Sequence, residues 1–238
     1  MNIGFDSNTD FQEGAIILIN KPYGWTSFNV VSKIKHLLRK SKGYKKIKVG
    51  HAGTLDPLAS GLMVVCVGKA TKMVESFLND DKEYIATFHL GQTTPSFDME
   101  TQMNQEYPID HINKTLVEEV VNRFIGEQDQ VPPLYSAKFI DGKRAYKFAR
   151  KGIEMELKPV KIILHELEII KFELPELTLR IRCSKGTYIR SLARDLGKAL
   201  NSGAYLSNLV RISSGKFKLA DAKEIEEVEI FFRVNATN

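Results

Sequence analysis

Apolar and polar positions along the chain alternate in blocks that predict a mixed succession of strands and helices. Ala15 to Ile19 is a short apolar run that predicts a strand, and Asn20-Lys21-Pro22-Tyr23-Gly24 breaks it as a turn. Thr26 or Ser27 then opens a helix whose apolar positions Val30, Val31, Ile34, Leu37 and Leu38 recur at helical spacing. Leu62 to Val67 is apolar throughout and is closed by Gly68, which predicts a buried strand; Thr71 to Leu78 predicts a short helix. Tyr84 to Leu90 has period two, with Tyr84, Ala86, Phe88 and Leu90 on one face. Thr115 to Phe124 reads as an amphipathic helix and Val160 to Ile170 as a strand. In Leu177 to Cys183 the apolar residues point inward and Arg180 and Arg182 outward. Thr187 to Leu200 predicts a helix with Tyr188, Leu192 and Leu196 on one stripe and Arg190 and Arg194 off it, ended by Asn201-Ser202-Gly203. A strand and a short helix at Ala222 to Phe232 complete the pattern. Residues 1–13 read as a mobile end and 93–113 as a polar loop.

A chain of 238 residues can bury a full core, as one large domain or two small ones. With 43% hydrophobic and 26% charged residues the composition is that of a globular protein, which sets disorder aside. No apolar run approaches membrane-spanning length, and Met1 to Glu13 is unlike a secretory signal. Cys66 and Cys183 each sit in an apolar strand and are expected as buried free thiols of a cytoplasmic protein. Metal-ligand spacing is missing, so no metal is expected.

The net charge of +5 is compatible with a polyanionic partner and proves none. Two segments concentrate the cations. Arg39, Lys40, Lys42, Lys45, Lys46 and Lys48 form either a solvated face or a phosphate-holding surface. Lys138, Lys143, Arg144, Lys147, Arg150 and Lys151 are interleaved with Phe139, Tyr146 and Phe148, a mixture that suits RNA backbone contact and base stacking as well as an ordinary basic helix face.

The densest chemistry lies in Gly50-His51-Ala52-Gly53-Thr54-Leu55-Asp56-Pro57-Leu58-Ala59-Ser60-Gly61. Its one carboxylate is Asp56. Pro57 pushes Asp56 toward an extended backbone, or Asp56 caps a short helical turn with Pro57 at its first position. Gly-His-x-Gly-x-Leu-Asp-Pro-Leu-Ala-Ser-Gly resembles the signature of the TruB family of tRNA pseudouridine synthases. Three further stretches carry the same resemblance: Lys21-Pro22-x-Gly24-x-Thr26-Ser27; Lys82-Glu83-Tyr84 with Leu90-Gly91-Gln92-Thr93-Thr94 and Asp98; and Cys183-Ser184-Lys185-Gly186-Thr187-Tyr188-Ile189-Arg190 with Leu209. The match covers about residues 14–215.

The resemblance implies an α+β pseudouridine synthase fold: a mixed, mostly antiparallel central sheet flanked by helices and loops, in one catalytic domain over 1–238 with an RNA-gripping insertion near 132–158. A C-terminal RNA-binding domain, common in the family, is expected to be missing. It also implies that Asp56 is catalytic, that Arg190 pairs with it, that Tyr84 and Leu209 wall the base slot with Tyr188 nearby, and that His51 steadies the place vacated by the target. Lys21, Lys143, Arg144 and Lys147 are expected on RNA. The expected activity is isomerisation of uridine to pseudouridine in the T loop of tRNA, position 55, by a monomer. No cofactor is called for, because the reaction has no net redox change and no group donor. A non-catalytic RNA-binding or RNA-folding module and a base-excising nucleosidase are the alternatives. Glycoside hydrolysis normally takes two carboxylates, and no second one is as well placed as Asp56.

Overall fold

The structure is a computed structural model that describes residues 2–136, 139–140, 143–144, 155 and 157–235. In chain order its elements are strands β1 (Asn2–Ile3) and β2 (Ala15–Lys21), helix α1 (Ser27–Lys42), strands β3 (Val49–His51) and β4 (Ala59–Val67), a 3-10 turn (Gly68–Met73) running into α2 (Val74–Leu78), strands β5 (Lys82–Leu90), β6 (Gln92–Thr93) and β7 (Gln105–Glu106), helix α3 (Lys114–Arg123), strands β8 (Gly126–Gln130), β9 (Phe139–Ile140), β10 (Lys143–Arg144), β11 (Val160–Glu173) and β12 (Glu176–Cys183), helix α4 (Ile189–Ala199), strands β13 (Ala204–Ser214) and β14 (Phe217–Lys218), and helix α5 (Ile225–Val234). The fold is α+β with mostly antiparallel strand pairing, as the resemblance implies. The chain divides into two compact units, Met1–Tyr84 with Leu209–Asn238, and Ile85–Asn208.

In the first unit β4 is the central strand. β2 runs antiparallel to it from Ala15↔Val67 to Lys21↔Gly61, and β1 adds in parallel to β2. The other edge of β4 is shared: the end of β13 pairs in parallel from Leu209↔Ala59 to Arg211↔Gly61, and β3 pairs antiparallel from Val49↔Val67 to His51↔Val65. Ile17, Ile19, Met63, Val65 and Val67 face α1 and α5 through Val30, Ile34, Leu38, Val228 and Phe232. Ile16, Leu18, Leu62, Val64 and Cys66 face Phe77 and Phe217. Apolar contact on both faces is why this strand reads as an unbroken apolar run. Helix α1 starts at Thr26 in a capping box with Asn29 and ends at Gly43 in the left-handed region.

The amino-terminal residues differ from the expected mobile end. β1 joins the sheet, and Phe11 is wholly buried, with Phe5 and Phe11 both against Phe232. Two phenylalanines supply enough apolar surface to hold this otherwise polar stretch on the core.

In the second unit the strand order runs from the beginning of β13 through β5, β12 and β11 to β8. Leu177, Leu179, Ile181 and Cys183 are buried, as their alternation predicts, while Arg180 and Arg182 reach across to Glu168 and Glu166 on β11. The segment expected as a polar loop at 93–113 carries the short β6–β7 pair. Both cysteines are buried and neither is part of a disulfide. Among the described residues no helix is long and apolar enough to cross a membrane.

Candidate active site

Asp56 lies in the loop between β3 and β4, and each neighbour of its backbone is fixed. Ala52 N–H donates to Val64 O at 2.9 Å, which carries the β3 pairing one residue into the loop. Ala59 N–H donates to Asp56 O at 3.1 Å and closes a four-residue turn with Pro57 in second place, where its fixed φ fits. Asp56 therefore opens a turn that leads directly into β4. Ser27, the first residue of α1, accepts from Leu55 N–H at 2.9 Å and donates to Leu55 O at 3.0 Å. Gly24 N–H donates to Pro57 O at 2.8 Å. The residues on both sides of Asp56 are tied to the β2–α1 turn, while Asp56 itself stays half-exposed.

Two buried cations hold the loop from beneath. Lys21 is 0% exposed, and its ammonium donates to Trp25 O (2.5 Å), Pro22 O (3.0 Å) and Pro57 O (3.4 Å). Arg211 is 1% exposed, donating from Nε to Leu62 O at 2.7 Å and from Nη2 to Gly53 O at 3.1 Å. Burial pushes the Lys21 ammonium down to about 8; attraction to Asp56 opposes that shift and repulsion from Arg211 adds to it. This corrects the expected role of Lys21 in RNA contact, because a wholly buried ammonium committed to three carbonyl groups presents nothing to a phosphate. Arg211 is missing from the residues singled out by sequence. Its signal was there: it alternates with Leu209 and Ser213, and all three are buried, so a charge occupies the inward face of β13.

His51 ends β3, half-buried beside this loop, and among the described residues its Nδ1 has no hydrogen-bond partner. Burial lowers its pKa, the Gly53 backbone opposes this, and Arg211 lowers it further, so the surroundings disfavour the charged ring. Leu209 is buried and opposite Ala59, at the end of the loop. Tyr84 is buried in the first part of β5. Lys82 before it donates to Phe77 O, Leu78 O and Asp80 O, and Glu83 accepts from Ser213, so the strand around Tyr84 is firmly held.

The second unit carries the other named residues. Arg190 is 4% exposed although it lies off the apolar stripe of α4, because the first turns of this helix are buried on every side. Its Nε lies 3.5 Å from Asp98 Oδ2, and its Nη1 donates to Tyr135 O at 2.9 Å and Ser96 O at 3.4 Å. A guanidinium is tolerated inside only with such partners, and period alone does not reveal them. Tyr188 stands at the N-cap of α4, half-buried, with its N–H donating to Gln130 Oε1 at 2.8 Å. Lys143 and Arg144 lie in β10; their side chains, and Lys147, fall outside the described residues. No group of His, Cys, Asp and Glu suited to a metal ion occurs among the described residues.

The family model of TruB family pseudouridylate synthase (N terminal domain) matches residues 39–189. The chain belongs to the TruB family of pseudouridylate synthases. It is 54% identical to tRNA pseudouridine synthase B of Phocaeicola vulgatus over 91% of this chain and 92% of that protein. It is 44% identical to tRNA pseudouridine synthase B of Clostridium kluyveri over 90% of this chain and 72% of that protein. Among solved structures, a chain of a Cbf5-Nop10-Gar1 complex superposes with a TM-score of 0.73 at 29% identity; the match takes in 96% of this chain and 57% of that one. The TruB match runs through the Asp56 loop and stops one residue before Arg190, so it includes the turn, Tyr84 and Tyr188, and leaves out Lys21, Leu209 and Arg211.

Proposed function

We propose that this protein isomerises uridine to pseudouridine in the T loop of tRNA, at position 55, with Asp56 as the catalytic carboxylate and no cofactor. The relatives named tRNA pseudouridine synthase B support the substrate class. The observation that carries the residue assignment is the half-exposed Asp56 turn, clamped through Leu55 and Pro57 and set beside the buried charge of Lys21. The isomerisation breaks the N1–C1′ bond, turns the uracil and joins C5 to C1′; the C5 proton is lost and N1 gains one, so the product is an isomer. A fixed carboxylate serves that chemistry as nucleophile or charge stabiliser. His51, Tyr84, Tyr188 and Leu209 are assigned to holding the extracted nucleotide. Arg190 as the cation that orients Asp56 rests on the motif resemblance alone.

Asp56→Asn keeps the shape of the side chain and removes its charge. Pseudouridine formation on a tRNA transcript, followed by chemical mapping, should fall at least about a thousandfold, a barrier increase of about 4 kcal/mol, while tRNA affinity stays within a few-fold. Turnover near the wild-type rate would remove Asp56 from the chemistry. A wild-type protein that binds tRNA without product would be a binding module, and release of free uracil would make it a nucleosidase.

A further inference from the structure

The first unit has a second feature that the Asp56 loop does not use. Gln12, Lys46, Ile47, Lys48, Gly68, Lys69, Thr71 and Lys72 line a cleft of about 280 Å³. Three separate stretches of chain meet there: the amino-terminal segment, the link between α1 and β3, and the 3-10 turn after β4. Four lysines converge on this cleft, and all four are exposed. One carboxylate answers them: Glu13 pairs with Lys69 at 2.7 Å, both side chains being more than half exposed. Among the described residues, Lys46, Lys48 and Lys72 have no carboxylate within ion-pair distance, so four cations against one anion leave a local charge of +3.

The helix dipole does not account for this charge. Arg39, Lys40 and Lys42 complement the C-terminus of α1, but the cleft lysines lie beyond that helix. Uncompensated ammonium groups around a concavity raise the local potential and attract a polyanion. Beside the lysines, the lining offers the polar side chains of Thr71 and Gln12, with Ile47 as its apolar member. The Glu13 pair is no obstacle, because an exposed ion pair contributes little.

The position of the cleft identifies what it serves. Asp56 precedes the Ala59 end of β4, while Val49 and Gly68 put the cleft at the Val67 end. Eight residue steps along a strand are roughly 25 Å, too far for any contact with the reacting nucleotide. We propose that this cleft is a second phosphate-backbone site for the RNA substrate, which grips the molecule remote from its target uridine. The inference rests on the proposed RNA substrate and extends it to a new surface.

The test is the variant Lys46→Ala/Lys48→Ala/Lys72→Ala beside its charge-retaining counterpart Lys46→Arg/Lys48→Arg/Lys72→Arg. Binding of a full-length tRNA transcript is measured across a salt series, and single-turnover pseudouridine formation at saturating tRNA. The alanine variant should bind about tenfold more weakly at low salt. The slope of log affinity against log salt should flatten by about 2 to 3, as three lost phosphate contacts on a duplex require. The saturated rate should stay within twofold of wild type, and the arginine variant should keep both affinity and slope. Unchanged affinity and slope in the alanine variant overturn the proposal. So does a loss shared by the arginine variant, which would mean packing in place of charge, and so does a collapse of the saturated rate. If wild type binds tRNA through the cleft but forms no pseudouridine, the functional reading fails and the site stands.

Discussion

Lys21 shows at the residue scale how the loop is held. Its charge is disfavoured by burial, yet three carbonyl groups converge on it, one of them that of Pro57 next to Asp56. Lys21→Met should lower stability at pH 7 by about 1–3 kcal/mol, because buried acceptors lose a charged donor. The pH dependence has a definite sign. The folded pKa of about 8 lies below the ordinary 10.5, so between these values the unfolded chain binds more protons than the folded one. The Lys21 contribution to stability therefore rises with pH across that window, and the gap to Lys21→Met widens from about pH 8 to about 10.5 and is flat below. Urea denaturation at pH 7, 8.5 and 9.5 measures it; a gap that does not change with pH would show that Lys21 does not titrate in place. The same residue marks a limit of the sequence reading: a lysine in a turn motif looks like a phosphate contact until the carbonyls around it are seen.

At the scale of elements, the seam between β4 and β13 sets the position of the loop. Gly61 has φ +101, and a Cβ there would meet the backbone O and N of Arg211 at 2.4 and 2.7 Å. The last glycine of the Asp56 motif is thus required by the parallel strand beside it. Gly61→Ala must separate the strands where Arg211 bonds Leu62 and Gly53, with an expected loss of at least about 2 kcal/mol. Thermal unfolding measures that loss, and pseudouridine formation should fall at temperatures where the variant remains folded. Full stability in the variant would show that the two strands part freely. The strands themselves were legible: β4 is apolar throughout because both faces are covered, and β12 alternates because one face meets solvent. The amino-terminal β1 was not, because two residues pairing on an edge leave no periodic mark.

Across the whole molecule, what the sequence made legible depends on contiguity. The Asp56 turn is written in consecutive residues, so its motif pointed to it directly. Arg211 reaches Gly53 across 158 positions of chain, and Arg190 meets Asp98 from another element; such partners become visible only when the strands are in register. The modest net charge hid its own distribution, since the lysines of the cleft come from both sides of β4 in sequence. One further property follows from the β2–α1 turn. Its Trp25, whose carbonyl accepts from Lys21, is the only tryptophan in the chain. All indole emission from this protein therefore arises within a few residues of the segment bonded to Pro57, which gives the unlabelled protein an optical signal for events at that loop.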